Sequence, residues 1–320
     1  MSITTSDIVS EYGAFYQDAG QNKKRILNML SQGREITGFA TPIKTDDTIF
    51  RLANATFRTL VQPFQKAFTQ KGGVDIVPNE IRSFRFKIDD EFMPDELYAT
   101  WLGFMTQKSV DRKDWPFVKW LIEVYYARQI DQDMELNEYY KGVYAAPVAG
   151  AAGADGTGMN GLKYQLQAGV DAETINSIDI GALDKDTIFD QVEAFTDEIA
   201  EVYQGIKMNV FMSRKWYKKY LQDKRAQKYY QKTSDAQIDG SIDFTPLDVK
   251  PLASMVGTDD IFCTPVENFL HISPATLTKN MFKLEEAKRS VAVMADWSEG
   301  LGLGINQAVW TNILPTPTTP

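Results

Sequence analysis

The chain has 320 residues, of which 43% are hydrophobic, with one cysteine, one histidine and a formal net charge of −9. That length and apolar share can furnish one large core or two moderate ones, while a lone Cys263 excludes an intrachain disulfide or a cysteine-rich zinc site and a lone His271 excludes a histidine-based metal site. No apolar run approaches the ~20 residues of a bilayer span, the N-terminus MSITTSDIVSEYG lacks the basic and apolar regions of a secretion signal, and the acidic balance argues against a general polyanion binder, whose affinity comes from Lys and Arg neutralising phosphates.

Residues 1–35 carry scattered apolar side chains (Ile8, Val9, Tyr12, Phe15, Tyr16) and a short helical pattern over Lys23 to Leu30. This is too little for a core, and reads as a frayed terminus. Residues 36–90 are rich in β-branched, aromatic and basic residues. A strand is expected around Phe50 to Val61, and another over Ile81 to Ile88, where Phe84, Phe86 and Ile88 alternate with Arg85 and Lys87 at the two-residue period of a pleated strand. Between them lies QPFQKAFTQKGGVDIVPNE, with breaks at Gly72-Gly73 and Pro78. Two strands with a long bent tip are expected, either reaching out from the body or packed as an edge hairpin on their own domain.

Met93-Pro94-Asp95-Glu96 opens a helix, with proline at its first position and acids against the positive dipole end. A second start at Asp114-Trp115-Pro116 leads through Phe117, Leu121, Val124 and Tyr125 to about Tyr140, a helix of roughly 35 to 40 Å. The small-residue stretch GVYAAPVAGAAGADGTGMNG (142–161) lacks the Gly-Lys-Ser/Thr ending of a phosphate loop and reads as a flexible connection. An amphipathic helix follows, with Asp184 or Asp186 as cap and Ile188, Val192, Phe195, Ile199 and Val202 on its apolar face. Met208 to Met212 makes a buried strand, and Ser213 caps a further helix carrying Trp216, Tyr217, Tyr220 and Leu221. That helix is strongly basic, with Arg214, Lys215, Lys218, Lys219, Lys224, Arg225, Lys228 and Lys232 against the single Asp223. Its two readings are a solvated face opposite acids such as Asp131, Asp133, Glu135 and Glu138, or a contact with nucleic acid.

The C-terminal run from Val249 to Asn312 holds β-type segments at Ile261 to Cys263, Asn268 to Ile272, Ser290 to Ala295 and Gly302 to Trp310, with turns expected at Gly257 to Asp260 and Trp297 to Gly300. Gly300-Leu301-Gly302-Leu303-Gly304 is not a dinucleotide fingerprint and reads as bulge or turn geometry. A catalytic search finds little. Cys263 and His271 are eight residues apart in extended chain, roughly 26 Å, which separates them as nucleophile and base unless the chain folds back. Asp89-Asp90-Glu91 reads as a solvated turn, and no acidic cluster has calcium-loop spacing.

In sum, the Met-Pro-Asp-Glu-Leu helix start, the Asp-Arg-Lys-x-Trp-Pro approach at 111–116, the glycine-rich crossing and the Thr-Pro-x-x-Asn strand at 264–268 come in an order that resembles the tailed-bacteriophage major capsid proteins of the HK97 fold, in the form found in phages of Bacteroidetes-type hosts. The resemblance implies an α+β fold with an N-terminal arm (1–35), an extended E-loop (36–90), a peripheral domain with a long spine helix (91–142), an axial domain (143–280) and returning peripheral strands with a tail (281–320). It implies a structural protein, not an enzyme, that self-assembles into hexamers and pentamers of an icosahedral shell around double-stranded DNA, formed in the bacterial host cytoplasm without cofactor, metal or membrane. Phe57, Arg58, Phe64, Phe68 and Lys71 are then candidate E-loop assembly residues, and Lys215, Lys218, Lys219, Lys224 and Arg225 a candidate inner-surface helix. No long N-terminal extension resembles a scaffolding region, so a separate scaffold is expected beside portal and decoration proteins. Lys44, Lys66 and Lys71 lie where some relatives form covalent cross-links, but no motif marks a partner and none is assigned. The alternatives are an encapsulin-like cargo compartment and a hydrolase using Cys263.

Overall fold

The computed structural model describes residues 33–57, 59, 61–93, 125–227, 239–275, 282–287 and 290–317. The expected N-terminal arm, the helix start after Met93 and most of the expected spine helix lie outside these residues. Two compact units are formed, the first from the described parts of 88–132 and 282–294, the second from those of 34–87, 133–281 and 295–320.

A single helical turn, α1 (Ile36–Phe39), leads into β1 (Thr41–Lys44), and β2 (Ile49–Phe57) pairs with β3 (Val74–Arg82) as an antiparallel hairpin from Ile49 opposite Arg82 to Phe57 opposite Val74. Pro78, expected as a break, sits inside β3 opposite Ala53. The hairpin is a two-stranded sheet, so each strand keeps an edge on which a missing N–H breaks no ladder bond. The strand expected over 81–88 is split at Ser83: Ile81 and Arg82 end β3, and β4 (Phe84–Phe92) begins beyond it with the expected alternation, Phe84, Phe86 and Ile88 partly buried and Arg85 and Lys87 exposed. β4 continues through Asp89, Asp90 and Glu91, so these acids stand on a strand and not in a turn.

In the first unit the Tyr126 hydroxyl donates to Asp90 at 2.6 Å, which fixes one of those acids. The helix α2 (Ala127–Asp133) passes into a π-helical turn, Met134–Glu138, and helical structure stops by Tyr140, where the sequence places its end.

The core of the second unit is built from α3 (Leu162–Asp171), β5 (Asn176–Ser177), α4 (Ile188–Asp197), β6 (Met208–Ser213), α5 (Arg214–Ala226), β7 (Asp248–Leu252) and β8 (Phe262–Pro265). β9 (Phe269–Ser273), β10 (Phe282–Ala287), β11 (Ser290–Leu303) and β12 (Trp310–Thr311) complete the chain. One sheet has the order β5-β12-β8-β6-β7, with β6 and β7 parallel and joined across α5. All six residues of β6 are buried, which explains a continuous apolar run where a half-exposed strand would alternate. Met208, Val210 and Met212 pack with Ile188, Val192 and Phe195 of α4 and Trp216 and Tyr220 of α5. Phe211 stacks on Phe262, ring centroids 4.9 Å apart, and meets Phe39 and Phe269 edge-on.

The α4 boundaries differ from expectation. The helix ends at Asp197; Ile199 still reaches the core from the following turn, but Val202 is 84% exposed. Neither Asp184 nor Asp186 caps it. The N-cap is Thr187, without a side-chain bond, and the Phe189 N–H donates instead to Asp223 of α5 at 2.9 Å. Ser213 does occupy the N-cap of α5, but its hydroxyl makes no capping bond.

In a second sheet, β9 pairs in parallel with β1 and antiparallel with β11, which also pairs with β4. The turn expected at Trp297 to Gly300 is absent, because β11 runs unbroken through it with Trp297 stacked on Phe86 at 5.5 Å. The last strand is correspondingly shorter than expected: β11 ends at Leu303, a 3-10 turn covers Asn306–Ala308, and only Trp310–Thr311 pairs again. Of the alternating glycines, Gly300 and Gly302 lie within β11, and Gly304 stands at the bend just beyond it. A Cβ on Gly300 would lie 2.3 Å from the Arg82 carbonyl oxygen and one on Gly302 2.8 Å from Ile81 Cγ2, so their lack of a side chain lets the end of β3 pass directly over β11.

Candidate assembly surfaces

The β2–β3 hairpin has a buried root and an uncovered tip. At the root, Ile81 is buried with Leu270 and Ile272, while Phe50 and Leu52 pack against them. Asn79 Nδ2 donates to the Leu303 and Gly304 carbonyls at 2.6 and 3.0 Å, tying β3 to the end of β11. At the tip, Val61, Phe64 and Phe68 are 82%, 93% and 96% exposed. The tip nevertheless has a defined form: Gln62 Nε2 donates to the Thr69 carbonyl at 2.8 Å, and Lys71 Nζ to that of Val61. Of the candidate assembly residues, Phe64, Phe68 and Lys71 thus share the tip, Phe57 ends β2, and Arg58 lies outside the described residues. Two phenyl rings held in water on a closed loop form an apolar patch that a covering surface would stabilise.

The basic helix α5 divides into two populations. Lys215, Lys218 and Arg225 are exposed and Lys219 half-buried, with the Lys215 ammonium 4.8 Å from the Trp216 ring centre. Lys224 is not a surface residue: its side chain is fully buried and donates to the Ser241 carbonyl, with Asp243 3.9 Å away. The cause is its place four residues after Tyr220 and eight after Trp216, on the face that α5 turns to the core. Arg214 pairs with Glu35. Glu135 and Glu138, expected opposite this helix, are engaged elsewhere. Glu135 is buried and accepts from the N–H groups of Glu35 and Ile36, at 3.0 and 3.2 Å. Glu138 accepts from Gly156, Gly158 and Met159, so the glycine-rich stretch expected to be a flexible connection is held by a carboxylate. Burial pushes both carboxyls up, against the pull of these N–H donors.

The two residues of the catalytic search stand in different sheets. Cys263, in β8, is wholly buried among apolar side chains, and that burial pushes its thiol far up, away from the thiolate a nucleophile needs. His271, in β9, meets Glu299 at 3.2 Å within a cluster that sequence reasoning missed. Glu299 also accepts from Arg34 at 2.9 Å, Tyr139 at 3.1 Å and Trp297 at 3.1 Å. Burial raises this carboxyl, but the His271 hydrogen bond and the Arg34 guanidinium outweigh it and hold it below the usual carboxylate range. The cluster ties Arg34, at the start of the described chain, to β9 and β11. Its sequence signal is weak, since Glu299 shares its strand with Asp296, Ser290 and Ser298. No group of three or more His, Cys, Asp or Glu side chains among the described residues is placed to hold a metal ion. No helix among them is long and apolar enough to cross a membrane.

No family model matches the sequence, and no curated protein does. Solved structures do match, over almost the whole chain. A chain of the satellite phage P4 procapsid that includes the size determination protein is 10% identical, with a TM-score of 0.56 over 96% of this chain and 97% of that one. The capsid of an empty GTA particle is 11% identical, with a TM-score of 0.53 over 98% and 100%. The capsid of Myoviridae phage XM1 is 11% identical, with a TM-score of 0.50 over 91% and 95%. The chain has the HK97-like capsid fold. At such identities the fold is kept by apolar spacing and strand order, with few shared residues.

Proposed function

We propose that the protein is the major capsid protein of a tailed bacteriophage, a structural and not a catalytic chain that assembles with itself into pentamers and hexamers of an icosahedral head around double-stranded DNA. The reading is supported above all by a capsid fold matched end to end on both sides of the comparison. A hairpin with a fixed root and two exposed phenyl rings at its tip is what a subunit needs to lie over a neighbour. On this reading the chain divides into arm (1–35), E-loop (36–90), peripheral domain (91–142), axial domain (143–280) and returning strands with tail (281–320). Phe57, Arg58, Phe64, Phe68 and Lys71 serve subunit contact. Portal, scaffolding and decoration proteins are its partners, DNA is enclosed without sequence-specific contacts, and the shell forms in the host cytoplasm.

Negative-stain electron microscopy of the purified protein tests this. Closed shells of uniform curvature are expected. A protein that stays monomeric at all concentrations contradicts the proposal, and shells that copurify with a protein cargo and no phage genes nearby support a cargo compartment instead.

A further inference from the structure

Exposed charges of opposite sign stand on α4 and α5, and among the described residues no ion pair joins them; Asp190 accepts instead from Gln227 Nε2, just past α5, at 3.0 Å. On α5 the spacing of three, four and three puts Lys215, Lys218, Gln222 and Arg225 on one exposed face. None of the three cations forms an ion pair among the described residues. On α4, Asp190, Glu193 and Asp197 follow at intervals of three and four, with Asp190 and Asp197 exposed, and the exposed Glu201 lies in the 3-10 turn beyond the helix end. The Glu193 carboxyl is pushed up first by burial and then by Asp190, Asp197 and Asp243, so the acids crowd one another. The helices are firmly joined, through the Asp223 cap on Phe189 and the Phe189 and Tyr220 rings at 5.7 Å. Both turn their apolar faces to the same core, which leaves the two stripes facing outward.

We propose that the acidic stripe of α4 on one copy of the chain docks against the basic stripe of α5 on a second copy. The occupant is set by charge: the basic face needs a partner with acids at helical spacing, and this same chain presents one. A duplex is the poorer occupant, because its phosphates would be drawn to α5 and repelled by the acids of α4, the helix packed against it, on a chain that is net acidic. A contact between two different patches, repeated from copy to copy, gives a ring where the rotation closes and a filament where it does not. The proposal rests on the capsid reading and assigns the contact within its rings. It also gives the exposed cations of α5 the acidic neighbours that Glu135 and Glu138 do not supply.

The test uses two triple variants of the full chain, Lys215→Glu with Lys218→Glu and Arg225→Glu, and Asp190→Lys with Asp197→Lys and Glu201→Lys, each checked for unchanged thermal unfolding. The Gln and Asn versions stand in if a reversal disturbs folding. Sedimentation velocity and electron microscopy should show each variant associating at least about tenfold more weakly than the natural chain, and the equimolar mixture recovering even-membered rings, in which the two variants alternate. The natural chain should associate more weakly as salt rises to about 0.5 M. Association of the base-reversed variant as strong as that of the natural chain overturns the proposal, as does a loss confined to retention of a double-stranded oligonucleotide. If the natural chain makes small oligomers and no shells, the capsid reading fails, and the stripe contact stands only if the mixture restores those oligomers. A natural chain that is monomeric throughout overturns both.

Discussion

Lys224 is one cation among several on α5, and its role is opposite to that of its neighbours. Its fully buried ammonium holds the Ser241 carbonyl and lies near Asp243, bracing a turn in which Phe244 has φ +63° with its ring in water. A bulky residue rarely adopts that conformation, so the turn depends on outside support. The adjacent Asp223 caps α4, and one turn of helix therefore ties two elements together. Both roles were partly legible: Asp223 is the only acid in the basic run, and Trp216, Tyr220 and Lys224 are spaced by four. What the sequence could not supply was the partner, since Ser241 and Phe189 come from elsewhere in the chain. Lys224→Met keeps the buried stem but leaves the Ser241 carbonyl short of a donor, and should cost about 1–3 kcal/mol. Lys218→Met, on the exposed face, should stay within about 0.5 kcal/mol. Urea titration of the two variants checks this; equal midpoints would return Lys224 to the surface.

At the scale of elements, periodicity points to α4, β6 and α5, gives no sign of α3 or β7, and fails where distant chain decides an outcome. The spacing of Ile188, Val192, Phe195 and Ile199 was read correctly, yet α4 ends before Val202 because the chain turns at Glu198 toward β6. The sequence points to a hairpin but sets its second strand too late, since Pro78 reads as a break unless its strand is known to have a free edge. The glycines of β11 alternate visibly, but the reason lies in β3, more than two hundred residues earlier. That reason gives a graded prediction. In Gly300→Ala the new methyl meets backbone, the Arg82 carbonyl oxygen at 2.3 Å, which no rotamer change relieves. In Gly302→Ala it meets side-chain atoms, Ile81 Cγ2 and Cγ1 at 2.8 and 2.9 Å, which can give more readily than backbone. Gly300→Ala should cost about 1–3 kcal/mol and Gly302→Ala less. Thermal midpoints in the reverse order would mean that β3 does not cross β11 at Gly300.

For the molecule as a whole, the capsid fold was legible from the order of its segments, whereas the surfaces that would join copies depend on which side chains the core leaves out. The hairpin shows the difference most clearly. Its root is fixed by Ile81 in the core and by Asn79 on the carbonyls of Leu303 and Gly304, so the strands stay paired in a free subunit. Its tip is closed by Gln62 and Lys71 but buries neither Phe64 nor Phe68, whose rings together leave apolar surface worth several kcal/mol on transfer from water. A neighbouring subunit that covers the tip therefore gains stability at small cost in ordering, because the stem is already formed. Trypsin reads this directly at Lys66, which lies between the two rings. Unassembled protein should be cut at Lys66 within minutes, while cleavage after Lys71 is slowed by its bond to the Val61 carbonyl. In assembled shells both bonds should be protected, and Phe64→Ser with Phe68→Ser should weaken assembly without lowering the thermal midpoint of the free subunit. Cleavage at Lys66 with equal rates in both forms would show that the tip stays in solvent, and subunit contact would then have to come from surfaces other than the hairpin.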